Sequence, residues 1–241
     1  MTTPDFLAVL SGAAVGLVLA LIGGGGSILA TPALLYIVGV ANPHVAIGTS
    51  ALAVSINAFA NFLNHLRRGN VKWRCAVVFA AAGVIGAALG ASVGKNTDAD
   101  VLLSLFAMLM IVVGVAMLLQ RKHEGDGDVV LNAKNAPKLI GYGFGVGALS
   151  GFFGIGGGFL IVPGLIGATG MTMIQAIGSS LFSVGSFGAT TAASYAVDGL
   201  IDWRIALLFI GGGIIGGAIG ASFATHLSKQ RGALQRVFAG V

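Results

Sequence analysis

The segment GGGGSILATP at residues 23–32 is the strongest indication of the fold, because a second version of it, GIGGGFLIVP, follows at residues 154–163. Both glycine runs interrupt long apolar sequence, and consecutive glycines break a helix. The two glycine runs are 131 residues apart, and other segments repeat at an offset of 130 residues. The further matches are AIGTS (46–50) with AIGSS (176–180), GNVKWR (69–74) with GLIDWR (199–204), and GVIG (83–86) with GIIG (213–216). An offset this constant indicates an internal duplication.

The composition places the chain in a membrane. Of its 241 residues 56% are hydrophobic and 9% charged, with a mean hydropathy of +0.96. A soluble domain of this length needs more charge to cover its surface. The apolar stretches are long enough to cross ~30 Å of hydrocarbon. Its 13 basic residues lie in short loops beside these stretches, which argues against nucleic-acid binding.

Each half has the same organisation, so we predict an all-α integral membrane protein of two repeats, 1–120 and 138–241, joined by a polar linker at 121–137. In the first half an apolar stretch (7–22) meets the glycine run, a second stretch follows, and three full spans come after it. The predicted segments are 27–40, 45–66, 75–94 and 101–120, then 138–153, 158–169, 173–197, 203–226 and a last segment from Ala233. By the repeat, that last segment should continue for roughly ten residues past Val241, so the final helix is expected to be incomplete.

Loop charge selects between two topologies. If each glycine-interrupted segment were one plain crossing, nine basic residues would lie inside and four outside. If it is instead a hairpin or two crossings, the halves are inverted, and eleven basic residues lie inside. Only Lys95 and Arg204 then remain outside, so this topology places more of the basic residues on the inside than the first one does. Inverted-topology repeats in a cytoplasmic membrane are therefore the favoured reading.

The glycine runs are the main candidates for a binding site. Broken membrane helices need a protected cavity, where their N–H groups and positive dipole ends can hold an anion. Helices starting near Ser27 and Phe159 would supply such ends. The alternative is close helix packing by small residues. The candidate residues at the two breaks are Gly24, Gly25, Gly26, Ser27, Gly156, Gly157 and Gly158.

Polar residues on the following spans are the second group of candidates. Asn57 and Asn61 share a helix face. Counting the same number of residues in both directions from the turn at 41–44 places Asn57 at the same membrane depth as Ser27. Ser50 and Ser180 end the matched AIGTS and AIGSS segments, and Ser183 is level with Gly158 by the same count. These amides and hydroxyls can bind the oxygens of a sulfonate or carboxylate, or they can join helices to one another. His65, near a basic loop, is interpreted as an interface residue.

The chain resembles the sulfite exporter TauE/SafE family, also called the toluene-sulfonate uptake permease family. The resemblance rests on the duplicated glycine break followed by a proline, the Gly-Thr-Ser and Gly-Ser-Ser segments, and the repeated Trp-Arg. It covers nearly the whole chain except the short last helix. It implies transport of sulfite, sulfonates or related organic anions by a prokaryotic membrane protein.

The expected partners are therefore a small anionic solute and the lipid bilayer, and we predict alternating access between the two glycine breaks. A homo-oligomer is left open. No cofactor and no catalytic residue is predicted, and the lone Cys75 excludes a multi-cysteine metal site. An anion channel remains the main alternative. A membrane enzyme is disfavoured, because Ser150 has no evident buried histidine to activate it.

Overall fold

The computed structural model describes residues 3–119, 131–132, 135–154 and 158–228, and these residues form a bundle of helices. The predicted last segment from Ala233, most of the predicted linker, Gly156 and Gly157 lie outside the described residues. The helical elements in chain order are α1 (Thr3–Ile22), a 3-10 helix (Gly23–Leu29), the short α2 (Ala30–Pro32), a π-helix (Ala33–Val38), α3 (Pro43–Arg67), α4 (Trp73–Gly94), α5 (Ala99–Leu119), α6 (Ala136–Phe153), α7 (Gly158–Thr169), α8 (Met173–Val197) and α9 (Trp203–Ser228).

The prediction of an all-α membrane protein is confirmed. Four helical stretches in the described part of the chain are long and apolar enough to cross a membrane. Shorter apolar helices cover Ala99–Val112 and Leu160–Thr169. The four long stretches are Thr3–Val38, Pro43–Arg67, Trp73–Gly94 and Trp203–Phe223.

The first glycine run makes a turn, after which the chain folds back along α1. Gly23 has a φ of +70°, a left-handed conformation that glycine adopts without steric cost. Three residues later Gly26 lies so close to Leu19 that a Cβ there would overlap its backbone. The structure therefore corrects the expected helix start near Ser27, because helical structure begins at Gly23. Glycines following the turn can still form a 3-10 helix, so a glycine run need not be an open loop.

Helices of one half pack along helices of the other half. The helix α1 packs along α9 of the second half, and α6 packs along α4 of the first half. Both pairs run parallel: Gly12 lies beside Phe209, and one turn on Gly16 lies beside Gly213. The same contacts recur in the other pair, where Gly143 lies beside Phe79 and Gly147 beside Gly83. Small residues at these points allow the backbones to touch.

The helices α3 and α8 cross at the centre and run antiparallel. Ser55 Oγ donates a hydrogen bond of 2.7 Å to the carbonyl oxygen of Gly185, its own counterpart in the repeat. At one end Gly48 packs against Tyr195, and at the other Gly178 packs against Asn70. Backbone conformations follow the same correspondence. Among the described residues, the glycines with positive φ form three pairs 130 or 131 residues apart: Gly23 with Gly154, Gly39 with Gly170, and Gly69 with Gly199.

Candidate functional site: the glycine-initiated helices and a buried amide

The 3-10 helix at the first glycine run is held against the second half by a serine. Gly24 N–H donates to Ser180 Oγ over 3.2 Å, and Ser180 Oγ donates in turn to the carbonyl oxygen of Ile177. Ser27 is fully buried, and its hydroxyl donates to the carbonyl oxygen of Gly24 at 2.8 Å. The structure thus brings two of the candidate residues, Gly24 and Ser180, into contact, whereas the Ser27 hydroxyl proton is used within its own turn.

Ser50 occupies the corresponding position in the first half and contacts Thr31, on α2. The two hydroxyl oxygens are 2.7 Å apart. Since Ser50 donates to the carbonyl oxygen of Ile47, Thr31 is the donor in this pair. This contact sets the register between α3 and the segment that contains Ser27 and Thr31. Counting four residues from it in each segment places Ser27 opposite Val54. The steeper rise of a 3-10 helix, ~2.0 Å per residue against ~1.5 Å in an α-helix, moves that level toward Asn57, so the expected level of Asn57 with Ser27 stays a prediction.

The second glycine-initiated helix, α7, begins at Gly158 and packs against the 3-10 helix of the first half. The turn before it begins at Gly154, which lies against Ile47 just as Gly23 lies against Ile177. The two interrupted segments predicted from sequence are therefore neighbours in the fold. Gly156 and Gly157 are outside the described residues, so their part in a site stays a prediction.

Asn57 is the most informative polar residue in the interior. It is fully buried in the middle of α3, and within the described chain neither its Nδ2 nor its Oδ1 has a hydrogen-bond partner. Its amide lies against Gly213 of α9, where any Cβ would overlap it. Asn61, one turn on, lies against Gly217, and its Nδ2 donates to the carbonyl oxygen of Asn57 at 3.0 Å. Burying an amide without partners is costly, which makes Asn57 a candidate ligand-binding group.

The corresponding face of α8 has a different chemistry. The counterpart of Asn57 is Phe187, whose ring lies against Gly83 and stacks on Phe79 with ring centres 6.3 Å apart. Ser183 and Thr191 are both buried, and their hydroxyls have no partner in the part of the chain that is described. The interior is thus amide-lined on the α3 side, whereas the α8 side combines an aromatic ring with hydroxyls.

His65 is a functional candidate that sequence reasoning missed. Its place beside a basic loop predicts an interface residue, yet the residue is only 1% exposed. Its Nε2 lies 3.3 Å from the carbonyl oxygen of Ala20, at the end of α1. The spacing of Asn57, Asn61 and His65, at i, i+4 and i+8, was the available signal, because it places all three on one helix face.

Other reactive groups are scattered. Among the described residues, no group of three His, Cys, Asp or Glu side chains is placed to hold a metal ion. Ser150 is buried, and its hydroxyl has no partner in the same part of the chain, so it does not contact His65. Cys75 is buried in the first turn of α4, as expected for packing. What the interior offers instead is amide, hydroxyl and backbone N–H donors.

Sequence comparison identifies the family. The profile described as "Sulfite exporter TauE/SafE" matches residues 8–241. The chain belongs to the sulfite exporter TauE/SafE family. A "Probable membrane transporter protein" of Xylella fastidiosa (strain 9a5c) is 54% identical over 231 residues, covering 95% of this chain and 88% of that protein. The "Probable membrane transporter protein YunE" of Bacillus subtilis (strain 168) is 28% identical, covering 92% and 89%.

The TauE/SafE membership confirms the resemblance on which the sequence prediction rested. A multi-pass membrane protein of a transporter family is what the apolar helices and the relatives' names together support. No solved structure matches this TauE/SafE protein.

Proposed function

We propose that this protein carries a small anion across the cytoplasmic membrane by alternating access, with the anion bound near Asn57 and the glycine-initiated helices. The observation that carries the proposal is the Asn57 amide, fully buried at mid-helix with both polar atoms unpartnered in the described chain. Since membrane proteins rarely bury unsatisfied polar groups, such an amide is best explained by a solute that it binds.

The chemistry of the interior favours an anion over a cation. The donors available at mid-bundle are amide and hydroxyl groups, together with the N-terminal ends of the 3-10 helix and α7. Asp5 is the carboxylate among the described buried side chains, and Arg204 binds it at 2.8 Å at the start of α1 and α9. A cation would therefore find little negative charge at the centre of the described bundle.

The class of anion follows from the family. The family description names sulfite, and the sequence resemblance extends this to sulfonates and related organic anions. These solutes share a compact group of negatively charged oxygens, which amide and hydroxyl donors can bind. The aromatic ring of Phe187 opposite the amide side adds an apolar surface suited to the carbon portion of a sulfonate.

Alternating access is supported by the arrangement of the two halves. Equivalent helices α3 and α8 lie antiparallel, which is the relation that inverted-topology repeats require of their copies. The glycine-initiated segments, one from each half, pack against each other. Rocking of one half against the other would then expose a site between these segments to each side of the membrane in turn.

A channel is the main alternative, and proteoliposome flux distinguishes it. We expect uptake of sulfite, methanesulfonate or 4-toluenesulfonate to saturate with concentration and to differ between anions of similar size. Flux that rises in proportion to the gradient for every anion would indicate a pore instead. Absence of flux for all three, and for small carboxylates, would contradict anion transport.

The glycine runs provide the matched variants for this assay. Gly25→Leu fills the buried first run and should abolish flux while the protein still inserts, as checked by membrane fractionation. Gly211→Ala is the control, because the position on α9 has open space around it. Normal flux in Gly25→Leu would remove the first glycine run from the mechanism.

A further inference from the structure

His65 holds an unused proton-binding nitrogen in the interior. Its Nε2 faces the carbonyl oxygen of Ala20 at 3.3 Å, whereas its Nδ1 has no partner within the described chain. A carbonyl oxygen only accepts hydrogen bonds, so Nε2 carries the hydrogen. The tautomer leaves the lone pair on Nδ1 free to accept a proton.

The imidazole is continuous with the candidate anion site. Asn57, Asn61 and His65 follow one another at intervals of one turn on the same face of α3. This face lies along the seam between α1 and α9: Gly213 and Gly217 contact the two amides, and Ala20 contacts the imidazole. A proton on His65 would therefore lie one to two turns from an anion bound at the amides.

The other buried titratable groups in the described chain cannot take this role. Asp5 is already ion-paired with Arg204. Cys75 and Tyr195 are buried but neutral near pH 7, and they become negative when they titrate, which would repel an anion. Among these groups, His65 alone becomes positively charged when it binds a proton.

The charges around His65 are mostly cationic. On its own helix Arg67 and Arg68 follow it, and Arg68 donates to the carbonyl oxygen of Ala221 on α9. Among the elements that pack against this region, α1 and α9 carry Asp5 and Arg204 at their far ends. The titratable residues that follow in sequence are Lys72 before α4, and Arg74 and Cys75 in its first turn, while α9 has His226 in its last turns. Cationic neighbours disfavour a second positive charge until an anion is present.

From this placement we propose that His65 binds one proton together with each transported anion, which makes the protein a proton–anion symporter. The proposal rests on the proposed function. Nδ1 takes a proton from water and gains an N–H bond, and the resulting imidazolium balances a monovalent anion at Asn57 and Asn61. The neutral pair avoids the cost of moving an isolated charge through the membrane interior. When the anion leaves, the same nitrogen returns its proton to water.

Histidine titration tests the proton site without a transport assay. In a full-length variant whose other three histidines are glutamine, ¹⁵N imidazole signals of His65 should titrate between pH 4.5 and 8.5. Saturating methanesulfonate should move the midpoint to higher pH, because an anion that favours the protonated imidazole is itself bound more tightly by it. An imidazole that shows no titration over this range would overturn the proposal.

Flux measurements test the coupling. Methanesulfonate stays ionised at these pH values, so any proton that moves with it must be carried by the protein. With one proton per anion, a gradient of one pH unit should drive accumulation of about tenfold. His65→Gln should still exchange methanesulfonate at equal pH but lose this accumulation, whereas His44→Gln, at the opposite end of α3, should keep it.

The outcomes separate the two proposals. Accumulation retained in His65→Gln would refute coupling through His65 and leave anion transport intact. Absence of flux in the wild type with all anions would refute the proposed function. A methanesulfonate-dependent shift in the His65 titration would still support the proton–anion site in that case.

Discussion

At the scale of single residues, the proposed role of the Asn57 amide links stability to transport. Replacing Asn57 with leucine, which branches at the same carbon but is larger, removes two buried polar atoms that have no partner in the described chain. An unsatisfied buried group costs about 1–3 kcal/mol, so Asn57→Leu should raise the free energy of unfolding by up to about that amount. The same change should abolish anion flux. Thermal unfolding in detergent and proteoliposome uptake measure the two effects.

Asn64→Leu is the matched control for that residue, because Asn64 lies on the same helix and is only half-buried. It should leave both unfolding and flux close to wild type. Asn57→Leu with wild-type flux would show that the amide contributes only to helix packing.

Repeats and helix spacing were enough to select some candidate residues that are buried, although their part in binding stays a prediction. Ser50, Ser180 and Asn57 were selected from repeats and helix spacing, and the structure places all three in the interior. The burial of His65 could not be predicted in the same way. Its position near the end of α3 suggested an interface, and its enclosure depends on where α1 and α9 pack, which no local pattern specifies.

At the scale of helices, glycine contacts set the distance between α1 and α9. A Cβ at Gly16 would overlap the backbone of Gly213, so even alanine forces the helices apart. We expect Gly16→Ala to lower the free energy of unfolding by about 1–3 kcal/mol, the usual cost of overpacking. Gly211→Ala, which meets open space, should instead be neutral or stabilising by up to ~1 kcal/mol. Equal unfolding temperatures for the two variants would contradict the tight crossing.

Helix bounds were predictable where the residues that end a helix are clear in the sequence. The spans 158–169 and 173–197 have the same bounds in the structure as in the prediction. Glycine or polar residues border both spans, which makes their ends recognisable in the sequence. The first glycine run was harder. A run of four glycines predicts a break but not its position, since Gly23 alone takes the left-handed turn and the following glycines remain helical. That choice depends on packing against Leu19 and Ser180.

At the scale of the whole molecule, the relation between the halves is testable from equivalent positions. Arg67 and Val197 end α3 and α8, are separated by the repeat offset of 130, and are both exposed. In inverted repeats these positions face opposite sides of the membrane, whereas parallel repeats would place them on the same side. The antiparallel contacts of α3 and α8 favour the first arrangement.

Cysteine labelling in intact cells gives the measurement, because the native Cys75 is buried and Cys75→Ser provides a clean background. A membrane-impermeant maleimide should label Val197→Cys in intact cells and Arg67→Cys only after permeabilisation, following the basic loops inside. Asp98→Cys should label like Val197→Cys, because Lys95 and Asp198 form a 2.7 Å ion pair that joins those two loops on one face. If Arg67→Cys and Val197→Cys were both labelled from outside, the halves would not be inverted. Alternating access between inverted copies would then have no basis.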